Sequence, residues 1–257
     1  MIKAIFFDVD GTLLSHSTKQ IPESTKRSLR KLREKGILVF MSTGRLKAEL
    51  DKLPIQDVQF DGYATLNGQL CLDKDKTVLF RNPFPEQLAG EMAQLFREQE
   101  IPMVFIEEDR LYLNVVNEQV RRVQAEISSN VPPVAPYQGA PVYQASVYLP
   151  RGQERVLTER LSDCYKMVRW HDNGVDIIPK NGGKVAGIRY FLEKYHISQE
   201  EVMAFGDADN DLEMLHFAGI GVAMGNAFQS VKVAADYVTD HVDCDGIEHA
   251  LLHFNII

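Results

Sequence analysis

Two acidic motifs are the parts of the sequence best suited to chemistry. DVDGT at residues 8–12 and GDADND at residues 206–211 each follow a short apolar run that is typical of a buried strand. Because residues two apart in an extended chain face the same side, the carboxylates of Asp8 and Asp10 should converge. Converging carboxylates repel one another unless a proton or a cation lies between them. The two motifs therefore predict a site for a hard cation such as Mg²⁺, which takes oxygen ligands.

Each acidic motif also has a purely structural interpretation. Asp and Gly are common in tight turns, so DVDGT alone would fit a turn that ends a strand, and Asp209 would fit the N-cap of a following helix. A calcium-binding EF-hand loop is excluded for the second motif. Such a loop carries a glutamate at its twelfth position, and counting Asp207 as the first residue puts Ala218 there.

A second pair of features is suited to holding an anion. In STGR at residues 42–45, the small residues Thr43 and Gly44 follow a strand-like run and would let the backbone approach an oxyanion at the start of a helix. Lys184 follows a Gly-Gly pair and supplies a compact charge for a phosphate. In isolation, the first feature would be a plain turn and the second a solvated surface lysine. Together with the carboxylates they form a chemically complementary set at the ends of predicted elements.

Strands and helices alternate in the first and last parts of the chain, which predicts an α/β fold. Apolar strand-like runs end at the acidic and STGR motifs, and helices with amphipathic spacing lie between them. A third short strand over residues 63–66 should end at the turn dipeptide Asn67-Gly68. The first and last segments should therefore form one parallel sheet with crossover helices.

The middle of the chain has a different pattern. Strand-like runs occur in hairpin-like pairs, one of them turning at Asn173-Gly174, with amphipathic helices between the pairs. This pattern predicts an antiparallel sheet with helices on one face. The expected architecture is a doubly wound, Rossmann-like parallel-sheet core of residues 1–82 and 181–257, with an inserted α+β domain of residues 83–180.

Composition limits the class of protein. The 257 residues carry 28 Lys and Arg against 36 Asp and Glu, a formal net charge of −8, and 45% of them are apolar. An acidic chain without a basic stripe is poorly suited to nucleic acid or to an anionic membrane, and no apolar run is long enough to span a bilayer. Three widely spaced cysteines offer neither a disulfide framework nor a zinc motif, so a reducing cytoplasm is expected.

The ordered set of motifs resembles the haloacid dehalogenase superfamily of phosphotransferases, and within it the Cof-type sugar-phosphatase branch. The match covers the whole chain and rests on DVDGTL at residues 8–13, TGR at 43–45, Asn67-Gly68, Lys184 and GDADND at 206–211, with residues 223–225 and 245–247 in the style of that branch. The sequence departs from the family pattern after the lysine, where Val185 replaces the usual glycine. The resemblance implies a magnesium-dependent phosphatase that hydrolyses small phosphorylated metabolites, with sugar phosphates favoured. It also implies that the inserted α+β domain of residues 83–180 is a cap domain that sets substrate specificity.

The same resemblance implies a two-step reaction with defined roles. Asp8 would attack phosphorus and form an aspartyl-phosphate, and Asp10 would act first as an acid and then as a base. Mg²⁺ would be held by Asp8, by the main-chain carbonyl of Asp10 and by Asp207. Asp211 would orient the lysine or a metal-bound water. The phosphoryl oxygens would be held by Thr43, the Gly44 amide, Lys184 and Asn210.

Arg45, His171 and a pair of histidines leave alternatives open. Arg45 would either reach the substrate or pair with a local carboxylate. His171, in the predicted cap hairpin, would either contact substrate or be an exposed turn residue. His249 and His253 lie four apart on a predicted helix, but two ligands are fewer than a zinc site uses.

Two other activities would use the same residues. A phosphomutase shares the first step but returns the phosphoryl group to the substrate, and no local motif separates it from a phosphatase. A non-catalytic sensor of phosphorylated ligands would not need Asp10 as an acid–base group, which favours the enzyme. The expected partner is a small phosphorylated metabolite rather than nucleic acid or a membrane.

Overall fold

The computed structural model describes residues 1–55, 58–127 and 129–257, which divide into two units. The first unit contains residues 1–81 and 183–257, and the second contains residues 82–182. The strands are β1 (Ala4–Phe7), β2 (Leu38–Ser42), β3 (Gly62–Thr65), β4 (Leu70–Asp73), β5 (Val78–Arg81), β6 (Met103–Ile106), β7 (Leu111–Leu113), β8 (Gln144–Val147), β9 (Tyr165–His171), β10 (Gly174–Pro179), β11 (Val202–Gly206), β12 (Ile220–Ala223) and β13 (Tyr237–Val238). The α-helices are α1 (Glu23–Glu34), α2 (Lys47–Leu50), α3 (Glu86–Glu98), α4 (Glu118–Glu126), α5 (Arg155–Thr158), α6 (Lys184–Tyr195), α7 (Leu212–Phe217), α8 (Gln229–Ala234) and α9 (Gly246–His253). Among the described residues, none of the helices combines the length and the apolar character needed to cross a bilayer.

The first unit is built on an eight-stranded sheet of order β13-β12-β11-β1-β2-β3-β4-β5. The strands from β13 through β3 in this order run parallel to one another, and Ala4 of β1 pairs with both Leu38 of β2 and Val202 of β11. All four residues of β1 are buried, as expected for a central parallel strand that is covered on both faces. The predicted α/β fold with a mostly parallel central sheet is confirmed.

One edge of this sheet differs from the predicted parallel core. β4 and β5 run antiparallel to their neighbours, because the four residues after β3 reverse the chain and Thr65 pairs with Leu70. The Asn67-Gly68 dipeptide lies in this reversal. The next residues, Leu70 to Leu72, are fully buried, so this short apolar segment completes the sheet on a covered surface.

Aromatic packing joins the sheet of the first unit to helix α6. The rings of Phe6 and Phe40 stack with centroids 4.7 Å apart, and the ring of Phe191 on α6 lies 4.5 Å from that of Phe40. Gly62 in β3 leaves room for the Phe191 ring, since a Cβ there would come within 2.8 Å of it. Burial of these rings fixes α6 against the sheet. Because α6 begins at Lys184, the hydrophobic core sets the position of that lysine.

The second unit contains an antiparallel five-stranded sheet of order β7-β6-β8-β10-β9. Polar and apolar side chains alternate along β8, because successive residues of a strand point to opposite faces of the sheet. Ala145 and Val147 belong to the apolar cluster that includes α3, whereas Gln144 and Ser146 hydrogen-bond to Asp176 of β10. This antiparallel sheet with helices is the α+β arrangement that the sequence predicts for the middle of the chain.

The last hairpin of the second unit turns one residue earlier than predicted. Gly174 pairs with His171 inside the ladder, so Asp172 and Asn173 form the turn. A Cβ at Gly174 would collide with the ring of Trp170. Glycine is therefore needed here for a close approach within the strand pair, and the Asn-Gly turn signal is misplaced by one position.

Candidate active site

Three loops that carry most of the predicted site residues leave the carboxyl ends of adjacent strands. Strand β1 lies between β2 and β11, and Phe7 pairs with Met41 on one side and with Phe205 on the other. The loops after these three strands therefore start side by side. In open α/β sheets this edge is where ligands bind.

The DVDGT loop is shaped by its contacts with Asp207. Asp8 follows β1, and its side chain is buried. Gly11 has a φ of +87°, and a Cβ at this position would collide with the Asp207 carboxylate, so glycine is required. The Thr12 hydroxyl donates a hydrogen bond to Asp207 Oδ1 at 3.1 Å. The glycine and threonine of the first motif thus bring the second acidic loop against it.

Asn226 ties the DVDGT loop to the last part of the chain, a role that the sequence does not predict. Its Nδ2 donates to the Gly11 carbonyl at 2.8 Å, and its Oδ1 accepts from the Val242 amide at 3.0 Å. The one local signal for Asn226 is that it directly follows residues 223–225, which match the family style.

The GDADND loop closes on its own last residue. Asp211 Oδ2 accepts hydrogen bonds from the amides of Asp207 at 2.9 Å and Ala208 at 3.0 Å. Gly206 permits this closure, because a Cβ there would collide with the Asp211 side chain. Asp211 therefore fixes the shape of the loop that carries both Asp207 and Asn210.

Lys184 connects the two acidic loops. Its Nζ lies 2.5 Å from Asp8 Oδ1 and 2.5 Å from Asp211 Oδ1, and its side chain is fully buried. The structure thus places the lysine beside the proposed nucleophile, although Val185 replaces the glycine of the family pattern.

Close backbone packing brings the start of α6 to this point. Gly68, in the turn after β3, has a φ of +82°, and a Cβ on it would collide with the carbonyl oxygen of Gly183. Gly183 itself has a φ of +98°, which also favours glycine. The turn after β3 and the residue before Lys184 therefore pack directly on each other, and any side chain between them would move the lysine.

Burial dominates the electrostatics of the cluster. It raises the pKa of Asp8 well above its ordinary value, with Asp211 adding to the effect and Lys184 opposing it. Burial and Asp211 raise the pKa of Asp207 to about 7. For Lys184, burial acts against the charged form, but the Asp211 and Asp8 carboxylates outweigh it and raise the pKa. The ammonium charge of this lysine is too little to balance three carboxylates.

The carboxylates of Asp8, Asp207 and Asp211 have the chemistry of a site for a hard cation. One oxygen from each lies within 4.8 Å of the others. Among the described residues, nothing donates a hydrogen bond to Asp8 Oδ2 or to Asp207 Oδ2, whereas both oxygens of Asp211 are hydrogen-bonded. Asp8 Oδ2 and Asp207 Oδ2 are therefore available as ligands, and carboxylate oxygens suit Mg²⁺.

Thr43, Gly44 and Asn210 meet around Asn67, to which the sequence gives no role beyond the turn. The Asn67 amide donates to the Thr43 carbonyl at 2.9 Å, and Asn67 Oδ1 accepts from Asn210 Nδ2 at 3.3 Å. A Cβ on Gly44 would lie 3.3 Å from the same Asn67 Oδ1. Leu66 and Asn67 both have a φ of +52°, a backbone conformation that is unusual for residues with side chains. The predicted phosphate-binding residues 43, 44 and 210 are therefore neighbours.

Arg45 pairs with Asp10, which is one of the two alternatives that the sequence leaves open. Its Nε donates to Asp10 Oδ2 and its Nη2 to Asp10 Oδ1, each at 2.7 Å. These bonds raise the pKa of Arg45. The Asp10 carboxylate is therefore bound to a residue of the STGR loop, and it is not part of the buried group of Asp8, Asp207 and Asp211.

His171 lies in the second unit and has partners there. Its Nδ1 accepts a hydrogen bond from the Asn173 amide at 3.1 Å, and its Nε2 lies 3.3 Å from a carboxylate oxygen of Glu126. These contacts hold the ring at the hairpin turn. A role for His171 toward substrate stays a prediction.

The two histidines at zinc-like spacing are engaged separately. His249 Nδ1 lies 2.7 Å from Asp240, whereas His253 stacks on Tyr237 with ring centroids 4.3 Å apart. In the part of the chain that the structure describes, the one cluster of metal-ligating side chains is the aspartate group, and the three cysteines are free. The structure thus offers no zinc site at these histidines among the described residues.

Comparison with known proteins identifies the family. A family profile of haloacid dehalogenase-like hydrolases matches residues 5–251. BT1666 from Bacteroides thetaiotaomicron, described among the phosphatases of the haloalkanoate (HAD) superfamily, has a TM-score of 0.92 and 34% identity over 100% of this chain and 96% of its own. The HAD subclass IIB sugar phosphatase BT4131 has a TM-score of 0.86 and 35% identity over 99% of this chain and 100% of its own. The Bacillus subtilis (strain 168) protein YkrA is 32% identical over 99% of this chain and 98% of its own.

These matches extend over nearly the whole length of the chain, as the resemblance inferred from the motifs requires. They agree with the α/β fold of the first unit, with its mostly parallel central sheet. The chain therefore belongs to the haloacid dehalogenase-like hydrolase family.

Proposed function

We propose that this family member is a magnesium-dependent phosphatase that hydrolyses small phosphorylated metabolites through an aspartyl-phosphate on Asp8. The observation that carries the proposal is the buried contact of Lys184 with Asp8 beside Asp207. This contact brings together a carboxylate nucleophile, an ammonium group that can bind phosphate, and carboxylate oxygens that can bind a metal ion. A cluster that served only to stabilise the fold would gain little from three buried carboxylates that repel one another.

The first proposed step transfers the phosphoryl group to the protein. An Asp8 carboxylate oxygen forms a bond to phosphorus while the bond from phosphorus to the leaving oxygen breaks. Asp10 gives its proton to the leaving alkoxide, which departs as an alcohol. Asp10 lies two residues from Asp8 in one short loop, so both carboxyl groups can act on one phosphoryl group.

The second proposed step hydrolyses the aspartyl-phosphate. Asp10, now a carboxylate, takes a proton from water while the water oxygen attacks phosphorus. The bond from phosphorus to Asp8 breaks, and inorganic phosphate leaves. Asp8 is restored as a carboxylate and Asp10 as an acid, so the cycle is closed.

Four groups are the proposed partners of the phosphoryl oxygens: Thr43, the Gly44 amide, Lys184 and Asn210. Their clustering around Asn67 and the end of β1 supports this role. In the described part of the chain, the Gly44 N–H donates to no other protein group, so it is available to an anion. Asp211 is proposed to hold Lys184 in place, and their 2.5 Å contact supports that assignment.

Asp8 and Asp207 are the proposed side-chain ligands of Mg²⁺, together with the main-chain carbonyl of Asp10. The carboxylate oxygens of Asp8 and Asp207 that accept no hydrogen bond support this set. Both oxygens of Asp211 already accept hydrogen bonds, so we propose that Asp211 does not bind the ion directly. When bound, the ion offsets the repulsion between the carboxylate nucleophile and the phosphate anion.

Sugar phosphates are the substrates that we propose first. Support comes from 35% identity with the sugar phosphatase BT4131 across 99% of the chain. The second unit is the proposed substrate-selecting cap, with His171 as a candidate contact. The proposed compartment is the cytoplasm, in keeping with three free thiols.

The test is turnover by the purified full chain. It is incubated with p-nitrophenyl phosphate and with a panel of sugar phosphates, in Mg²⁺ and in EDTA, and inorganic phosphate is measured. We expect phosphate release that requires Mg²⁺. Isomerised sugar phosphate without phosphate release would indicate a phosphomutase, and ligand binding without any turnover would indicate a sensor. Either result would replace the proposed function.

A further inference from the structure

The contact between Arg45 and Asp10 is not explained by phosphate binding or by the metal cluster. The guanidinium donates two parallel hydrogen bonds, one to each oxygen of the carboxylate, both at 2.7 Å. This fork geometry is the most directional ion pair available to a carboxylate, because it fixes the plane of the group as well as its distance.

The backbone of Arg45 is itself held in place. Its amide donates to the hydroxyl of Thr43 at 3.2 Å, and its carbonyl accepts from the Leu66 amide at 3.1 Å. The fork is therefore presented by a loop that is bound both to a proposed phosphate-binding residue and to the turn after β3. A shift of Arg45 would move Asp10 relative to the site of the phosphoryl group.

Stabilisation of the fold is a weak explanation for this pair. The side chains of Arg45 and Asp10 are 31% and 40% exposed, and ion pairs with this access to water contribute at most about 1 kcal/mol to the free energy of unfolding. The same exposure leaves the Asp10 carboxylate free to rotate unless something holds it. Each carboxylate oxygen has two lone pairs, so the fork occupies one on each oxygen and leaves the other for proton transfer.

We infer that Arg45 is a positioning residue for Asp10, holding the carboxyl group in the orientation in which it exchanges a proton with the leaving group and with water. This inference rests on the proposed function, since it assumes that Asp10 is the acid–base group. It assigns Arg45 to the reaction through Asp10 and not through a contact with substrate.

The test is a double-mutant cycle of Arg45→Met and Asp10→Asn. Phosphoenzyme formation is measured by rapid quench with p-nitrophenyl phosphate and with phenyl phosphate, whose phenoxide is a poorer leaving group and needs the proton more. Arg45→Met should slow formation roughly 10- to 100-fold with phenyl phosphate and much less with p-nitrophenyl phosphate. In the Asp10→Asn background, the same substitution should change the rate less than about twofold, because its target is already lost.

Two further variants test whether the effect of Arg45→Met comes from the lost fork geometry, from the lost charge or from general damage to the fold. Arg45→Lys keeps the charge without the fork, so it should recover only part of the rate. Arg33→Met is the matched control, because Arg33 forms a comparable part-exposed pair with Asp61 at 3.1 Å outside the site. It should leave both rates unchanged.

Two outcomes would overturn the inference. Losses from Arg45→Met and Asp10→Asn that multiply would mean that the residues act independently. A raised KM with an unchanged kcat would mean that Arg45 binds substrate. Asp8→Asn is measured alongside: if that variant remained active, the proposed function itself would fail, whereas an inactive Asp8→Asn with independent Arg45 and Asp10 effects would remove only the positioning role.

Discussion

Asp8 is the residue on which the proposed chemistry depends most directly. Asp8→Asn should abolish turnover and leave the protein folded, because the amide has almost the same shape and removes an unfavourably buried carboxylate. The loss should reach several orders of magnitude, as for other nucleophiles in covalent catalysis. Steady-state assays on freshly purified protein, with deamidation excluded by intact mass, would measure it. Near-normal activity would contradict the assignment.

Asp10 should differ from Asp8 in its dependence on the leaving group. A sugar alkoxide needs a proton to depart, whereas nitrophenolate hardly does. Asp10→Asn should therefore slow phosphoenzyme formation far more with a sugar phosphate than with p-nitrophenyl phosphate, and it should slow phosphoenzyme breakdown equally with both. Rapid-quench measurements of the two steps would decide. Equal losses in formation would give Asp10 a role in shaping the loop and leave the acid to another residue.

The contact of the turn after β3 with the start of α6 is the element-scale feature that places Lys184. Gly68→Ala would strain a residue with a φ of +82° and push its Cβ into the Gly183 carbonyl. We expect a loss of stability of about 1–3 kcal/mol and a lower kcat, since Lys184 would move. Urea unfolding and steady-state kinetics would measure both. Gly90→Ala, in helix α3 with open space around the new Cβ, is the matched control and should raise stability by about 0.5–1 kcal/mol with unchanged kcat.

A buried carboxyl group lies in the sheet of the second unit. Asp176 of β10 accepts hydrogen bonds from Gln144 at 2.7 Å and from Ser146 at 2.6 Å. Burial raises its pKa from 3.8 to about 7, against the opposing effect of its hydrogen bonds. The folded state holds this proton more tightly than the unfolded chain does. The contribution of Asp176 to the free energy of unfolding is therefore fully present below about pH 4, and it is lost as pH rises through about 7.

Asp176→Asn should remove this pH dependence. The variant should match the wild type near pH 4 to 5 and exceed it in free energy of unfolding by up to a few kcal/mol at pH 8, because the amide cannot ionise. Urea unfolding of both proteins across this pH range would give the difference at each point. A difference that did not change with pH would mean that Asp176 does not take up a proton on folding.

At the scale of the whole molecule, the sequence predicts the fold class and the main site loops because both have local signatures. Helix α6 follows from the spacing of Ile188 and Phe191, and the acidic loops follow from motifs that end apolar strands. The Asn67-Gly68 dipeptide predicts a turn, but no local signature predicts the side-chain contacts of Asn67 and Asn226. Their contacts join segments that are distant in sequence, so only the folded chain brings them to residues 210 and 11.

The net charge of the whole chain has the same sign as the charge of the candidate site. The chain has a formal net charge of −8, and its candidate site gathers three buried carboxylates, two of which contact Lys184. Both the overall field and the local cluster oppose an anionic phosphate ester. A bound divalent cation would reverse the local sign, so stability as well as activity should respond to it.

Mg²⁺ should stabilise the wild-type protein and not Asp207→Asn. Without metal at pH 8, the variant should be the more stable protein, because Asp207, with a pKa of about 7, is ionised there at a cost in the folded state. With saturating Mg²⁺, the wild type should gain several degrees in Tm by mass action and overtake the variant, which has lost a ligand. Scanning calorimetry of both proteins with and without each ion would measure this crossover in Tm.

Calcium should restore less activity than Mg²⁺ after EDTA treatment, since its looser coordination holds nucleophile and phosphate less closely. Equal Mg²⁺ stabilisation of both proteins, or full activity after exhaustive chelation, would place the metal elsewhere or remove it from the reaction.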